Sequence, residues 1–239
     1  AFHDGTENDP SNAEIYVGLD TAMSLTGVPA KERAAALGRY PGVESNAAAP
    51  AAMPSNLVYQ LALTRAEAGQ FDQALELFKD RFFPSEEGGV NAAQVLFEIK
   101  LMQAEAEAAA GKCTDALAFL AGEHPGLSLN GAVARSYGRM AAIAKTCQQP
   151  QQSEQLLQKA AASKGGADSA WAARAQKLLG ADDPAQQQKL QASLAAGERV
   201  TDTSSFPGWW WYNIGTIHAA LQQDEQARGA FNRALLLPD

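Results

Sequence analysis

Cysteine is nearly absent: Cys113 and Cys147 are the only two in 239 residues. They form no CxxC pair and have no histidine close by in sequence, which excludes a zinc cluster and a thioredoxin-type dithiol. Aromatic residues are scarce at 8%, and charged residues reach only 19%. Positive charge is in deficit, with 19 Lys and Arg against 27 Asp and Glu and a net charge of −8. A chain so acidic is a poor partner for nucleic acid or an anionic membrane surface, because phosphate contacts require clustered Lys and Arg. No apolar run approaches the length of a bilayer span, so membrane insertion is not expected. The stretch from Ala1 to Pro10 is polar, and no signal peptide is visible in it. A signal removed ahead of this chain would leave the same sequence, so the compartment stays undecided.

Catalytic motifs are missing as well. Gly111-Lys112 lacks the upstream glycine of a Walker loop, and Cys113 follows where Ser or Thr is required. Gly126-Leu127-Ser128-Leu129-Asn130 fails the nucleophile-elbow pattern at its last residue, and no strand precedes it. His3, His124 and His218 are isolated from one another. Carboxylates such as Glu98, Glu105 and Glu107 read as the solvated faces of helices. The chain is therefore not expected to be an enzyme, and no cofactor, metal or catalytic residue is assigned.

What the sequence does have is alanine and repetition. Alanine dominates the apolar share, and it favours helices because it loses no side-chain entropy in one. Apolar residues recur at three-to-four spacing, interrupted by turn signals at positions 27, 69, 111, 148 and 222. These stand 42, 42, 37 and 74 residues apart. The last gap spans two periods and holds a degenerate pair, Ser169–Leu179 and Pro184–Val200, with its turn at 180–183. Gly27, Gly69, Gly111 and Gly180 close first helices, where a left-handed cap needs no side chain. Pro150 and Pro184 open second helices, Asp182 and Asp183 are cap candidates before Pro184, and Ser55 is one after Pro54.

The most complete unit runs from Trp209 to Pro238. Trp211, Ile214, Gly215 and His218 fall on one helix, and Ala227, Phe231 and Ala234 on the next, with Pro238 closing it. This order resembles the tetratricopeptide repeat, Trp-x2-Leu-Gly-x2-Tyr followed by Ala-x3-Phe and Pro over ~34 residues. Gly215, Ala227 and Ala234 would sit where the two helices cross closely, with Trp211, Ile214 and Phe231 filling the volume between. His218 stands at a packing position and reads as structural. The resemblance implies an all-α chain, a right-handed superhelix of about six tetratricopeptide-like hairpins (an α-solenoid). Residues 1–239 would form a single repeat domain with units near 11–40, 55–83, 91–122, 130–163, 168–200 and 207–238. The Arg81–Gly89 linker and the Pro207–Trp211 run also resemble the repeat region of bacterial proteins that carry a DUF5107 domain. The sequence starts and stops at repeat edges, and Leu235 to Asp239 supply no polar capping helix, so an excised region of a larger protein is expected.

The cysteines can now be placed. Their separation of 34 residues puts them near the turns of neighbouring hairpins. Equivalent points in stacked helical layers lie ~10 Å apart, whereas a disulfide needs α-carbons within about 7 Å. Two free thiols are expected.

By the same resemblance, first helices line a concave groove that takes extended peptides. Groove candidates are Tyr59, Arg135, Arg139, Trp209, Tyr212 and Asn213, with Val17, Thr21, Leu63, Glu98, Glu105 and Thr216 also on first helices. Val17 and Thr21 offer neither charge nor amide for a carboxylate clamp, so recognition of a C-terminal carboxylate is not expected. From Gly126 to Ser153 there is no acidic residue, and Arg135 and Arg139, four apart, share a helix face. They are either an anion-accepting patch or an ordinary solvated face. Trp209, Trp210 and Trp211 fan out at about 100° steps and cannot share one buried face. The expected function is a protein-interaction or scaffolding module for a protein or peptide, acidic and extended. The alternative is an intramolecular scaffold packed on a catalytic, carbohydrate-active domain of the same polypeptide.

Overall fold

The computed structural model describes residues 2–43, 54–83, 91–127, 133–163, 169–180, 184–200 and 207–236. Among them every regular element is an α-helix, so the all-α expectation holds. The chain divides into two compact units, Ala1–Leu129 and Asn130–Asp239. The first contains α1 (Phe2–Asn8), α2 (Ala13–Leu25), α3 (Ala30–Leu37), α4 (Ser55–Glu67), α5 (Phe71–Glu76), α6 (Ala92–Ala109) and α7 (Cys113–Ala121). The second contains α8 (Val133–Thr146), α9 (Pro150–Ala162), α10 (Ser169–Leu178), α11 (Pro184–Val200), α12 (Pro207–Ala220) and α13 (Asp224–Leu236).

Local signals set the helix ends. Asn12 caps α2 by accepting from the Glu14 N–H at 3.2 Å. Ahead of α6, Asn91 Oδ1 accepts from the Ala93 N–H at 2.8 Å, and Gln94 Oε1 accepts from the Asn91 N–H at 2.9 Å. This reciprocal box satisfies donors that the helix itself leaves open. Pro150 stands in the first turn of α9, where its missing N–H costs nothing. Ser55 does not cap α4. It is the first helical residue, and Pro54 occupies the cap position without a side-chain bond. Asp182 and Asp183 lie outside the described residues.

The turns share one geometry. Gly27, Gly69 and Gly111 have φ of +76°, +73° and +77°, and Gln148 and Gln222 adopt the same left-handed conformation at +57° and +60°. At each, the left-handed residue donates its N–H three residues back, and the next residue donates five back, as in Lys112 N–H to the Glu107 carbonyl at 2.8 Å. This pair of hydrogen bonds closes the open carbonyls of the first helix and turns the chain into the second. Gly180, at φ +79°, makes the first of the two bonds, to Lys177 at 3.0 Å. A side chain costs roughly 1–2 kcal/mol in this conformation, against about 0.5–1 kcal/mol of glycine entropy. Gln148→Gly and Gln222→Gly should therefore each stabilise the chain by about 0.5–1 kcal/mol, seen as a higher midpoint in urea unfolding.

Packing within each unit is staggered. In the first unit α4 lies against α2 and α3 as well as its own partner α5, and α6 lies against α4, α5 and α7. In the second, α10 lies against α8 and α9, and α12 against α10, α11 and α13. Each first helix thus sits on both helices of the preceding pair and runs beside the preceding first helix. The pair α10 and α11 is the exception in its own contacts, since each touches α12 more than it touches the other.

The two cores differ in composition. Leu37, Val43, Leu57, Val58, Leu61 and Ile99, none more than 1% exposed, form the centre of the first. The second is built on alanine, with Ala134, Ala160, Ala172 and Ala175 in one cluster and Ala170, Ala173, Ala220 and Leu190 in another. Small side chains let the helices approach closely. In α12, a Cβ added at Gly215 would come within 2.6 Å of the Phe231 ring, so glycine is required where α12 crosses α13. Ile214 and Ala227 are buried in the same hairpin.

Neither cysteine is a free thiol: Cys113 and Cys147 are both disulfide-bonded. This overturns the expectation of two free thiols. The ~10 Å layer spacing describes helix axes, and neither cysteine sits on one in mid-course. Cys113 opens α7, and Cys147 follows the last residue of α8 at the turn.

Candidate functional site

Two oppositely charged side chains are buried in the first unit. Asp20 of α2 is 1% exposed and Arg33 of α3 is 6% exposed. Arg33 Nη1 lies 3.5 Å from Asp20 Oδ1, and Arg33 Nη2 donates to Glu67 Oε2 of α4. Gln60 Nε2, also on α4, donates to Asp20 Oδ2 at 2.5 Å. Asp20 Oδ1 itself has no hydrogen bond, so its pairing with Arg33 is purely electrostatic. The network ties the first hairpin to the second. Its charges are spent on one another across three helices, so it acts on the fold.

His124, at the end of the first unit, is half-buried. Its ring packs 4.5 Å from Phe119 and 5.7 Å from Phe97, centroid to centroid, and its Nε2 is buried without a partner. Nearby Gly126 allows no side chain, because a Cβ there would meet the Ala93 carbonyl oxygen of α6 at 2.0 Å. Burial lowers the His124 pKa below its ordinary 6.5, and the positive charge of Lys100 lowers it further. The unfolded chain therefore takes up this proton at higher pH than the folded one does. The stabilisation from neutral His124 is complete above pH 6.5 and is lost as pH falls through the folded-state pKa. Urea melts through this range should show the wild type losing more stability on acidification than His124→Phe.

His218 is also structural. Its Nδ1 lies 2.7 Å from Gln223 Oε1, across the turn between α12 and α13. Among the described residues no group of three or more His, Cys, Asp or Glu could hold a metal ion, and no helix is long and apolar enough to cross a membrane. A shallow open depression at the start of α2 is lined by Asp9, Ser11, Asn12 and Glu14 with Pro54 and Asn56. Its polar groups already bond one another: Ser11 Oγ and Asn12 Nδ2 both donate to Asp9.

The first helices remain. Tyr59 is 7% exposed and stacks with Phe78 and Phe83 at centroid distances of 6.1 and 5.2 Å, so little of it faces outward. Thr216 is buried, with Oγ1 donating to the Asn213 carbonyl at 2.7 Å. Leu63 packs on the core, and Thr21, though exposed, donates Oγ1 to the Val17 carbonyl at 3.0 Å. Tyr212 is half-buried and lies 5.8 Å from Phe231, inside its own hairpin. Asn213 beside it is half-buried too. Trp211 is half-buried, with the Arg233 guanidinium 4.5 Å from its ring centroid. The side chains of Trp209 and Trp210 lie outside the described residues. Arg135 and Arg139 are both half-buried on α8, on the face opposite Ala134, Met140, Ala141 and Ala144.

Residues that sequence reasoning did not single out adjoin this face. On α10, which packs against α8, Trp171 lies on the same alanine cluster as Tyr137. The Arg174 guanidinium is 6.0 Å from the Trp171 ring centroid, and its Nη1 donates to the Ala219 carbonyl at 3.4 Å. Leu178 at the end of α10 is 58% exposed. Trp171, Arg174 and Leu178 stand at helical i, i+3 and i+7, a readable signal that the degenerate character of this pair obscured. No family model matches this chain, and no curated protein does either.

Proposed function

We propose that this chain is a tetratricopeptide-like repeat module whose first helices present a surface for a protein or peptide partner. The observation that supports it is the staggered packing. Within each unit every first helix runs beside the first helix of the preceding pair, which aligns their outward faces into one continuous strip, as in repeat arrays that bind along such a strip. The buried charged groups and His124 are used up in holding the fold, which leaves surface recognition as the activity the geometry favours.

Site-specific photo-cross-linking tests this. A photoreactive residue at Thr21 or Arg135, on first helices, should capture a partner from the native source. The same residue at Glu154 or Arg228, exposed on second helices, should not. Capture confined to the second helices, or equal from both, would refute the reading.

A further inference from the structure

In a chain of net charge −8, two neighbouring helices carry cations only. Arg135, Arg139 and Lys145 stand on α8, and Arg174 and Lys177 on α10, with no carboxylate in either helix. The two helices pack side by side. Arg135 and Lys145 make no ion pair among the described residues. Arg174 spends its hydrogen bond on a backbone carbonyl rather than a carboxylate. The half-buried Trp171 ring, 6.0 Å from the Arg174 guanidinium, and the Leu178 side chain, 58% exposed, stand on the same face of α10 as Arg174.

We infer that the α8–α10 face of the second unit binds an acidic protein segment that carries one apolar anchor. The inference rests on the first-helix reading above and names the partner's chemistry. Several cations with no intervening carboxylate produce a local positive potential that attracts anions and orients them before contact. An aromatic ring and a leucine within that field offer an apolar contact whose burial removes water from the neighbouring charge pairs. Trp171 and Leu178 are too small a patch to hold a partner by apolar burial alone, and Arg135, Lys145 and Arg174 without them would bind acidic chains indiscriminately. Together they select acid plus anchor. Nucleic acid satisfies the charge but offers no aliphatic anchor for Leu178.

The probe is a fluorescein-labelled glutamate-rich peptide with a single central leucine, titrated into the full chain and read by anisotropy. It should bind, and its affinity should fall as salt is raised. A peptide with glutamine for glutamate, and one with serine for the leucine, should each bind roughly tenfold more weakly. Arg135→Glu and Arg174→Glu should each weaken the leucine peptide by a similar factor, while Glu154→Lys on α9 leaves it unchanged. Arg174 also braces Ala219, so Lys145→Glu serves in its place if the Arg174 variant fails to give the wild-type thermal melt. Absence of binding, equal binding of the glutamine peptide, tighter binding of a single-stranded oligonucleotide, or indifference to Arg135→Glu would each overturn the inference. A partner captured from first-helix positions whose binding ignores salt and Arg135→Glu would leave the module standing and remove only this acidic-segment assignment.

Discussion

Arg33→Ala should cost about 3–5 kcal/mol of stability, read as a lower midpoint in urea unfolding of the full chain. The cost comes from what the substitution leaves behind. Asp20 is 1% exposed, and apart from Arg33 its only partner among the described residues is the Gln60 amide. Without the guanidinium a carboxylate is buried with no counter-charge. Glu67, whose side chain is 48% exposed, can return to water, so Glu67→Ala should cost no more than about 1 kcal/mol. Replacing the buried pair together, Asp20→Leu with Arg33→Met, should recover most of the loss, because it removes two desolvation penalties along with one attraction. If Arg33→Ala and Glu67→Ala prove equally mild, the network does not bear on stability as described.

Reduction of the disulfide should have an effect of comparable size, about 2–5 kcal/mol. A cross-link restricts the unfolded ensemble far more than the folded one, so opening it favours unfolding. The denatured but unreduced chain should show no reactive thiol, and reductant should release those of Cys113 and Cys147. Cys147 is 6% exposed, so reduction should be slow in the native state and fast in denaturant. Cys113→Ser with Cys147→Ser should reproduce the destabilisation in the absence of reductant. An unchanged urea midpoint in that double variant would contradict the prediction.

Sequence reading located the turns well because they have a chemical marker. Gly27, Gly69, Gly111 and Gly180 occupy left-handed positions that few other residues tolerate. Gln148 and Gln222 occupy the same conformation without the marker, and only the spacing of apolar residues on either side revealed them. The short α1 went unread, since the polar stretch around it has no apolar period. The Asp20–Arg33–Glu67 network was missed for a different reason. Charged residues on helices are ordinarily solvated, and the cue was positional: Asp20 stands four residues after buried Tyr16, and Arg33 directly precedes buried Ala34.

The candidate site was less legible than the fold. Tyr59 and Thr216 were assigned to an outward face, yet a first helix packed on both helices of the pair before it has little face to spare. Helix period alone cannot say how wide the buried arc is. The same difficulty worked in reverse at α10, where Trp171, Arg174 and Leu178 share an outer face that its irregular sequence concealed.

The helix contacts of both units join elements that are adjacent or next-but-one along the chain. Such contacts close only short loops, and the entropy lost in closing a loop grows with its length. Folding speed across small domains follows this locality, and helical proteins dominated by near contacts fold in microseconds to milliseconds. Each hairpin can form on its own and be captured by its neighbour, so nucleation need not begin at any one place. The slow events on refolding then belong to chemistry outside this pattern. With 11 prolines in the chain, peptide-bond isomerisation in the unfolded state, on the order of 10–100 s, sets the slowest phase when the disulfide is left intact.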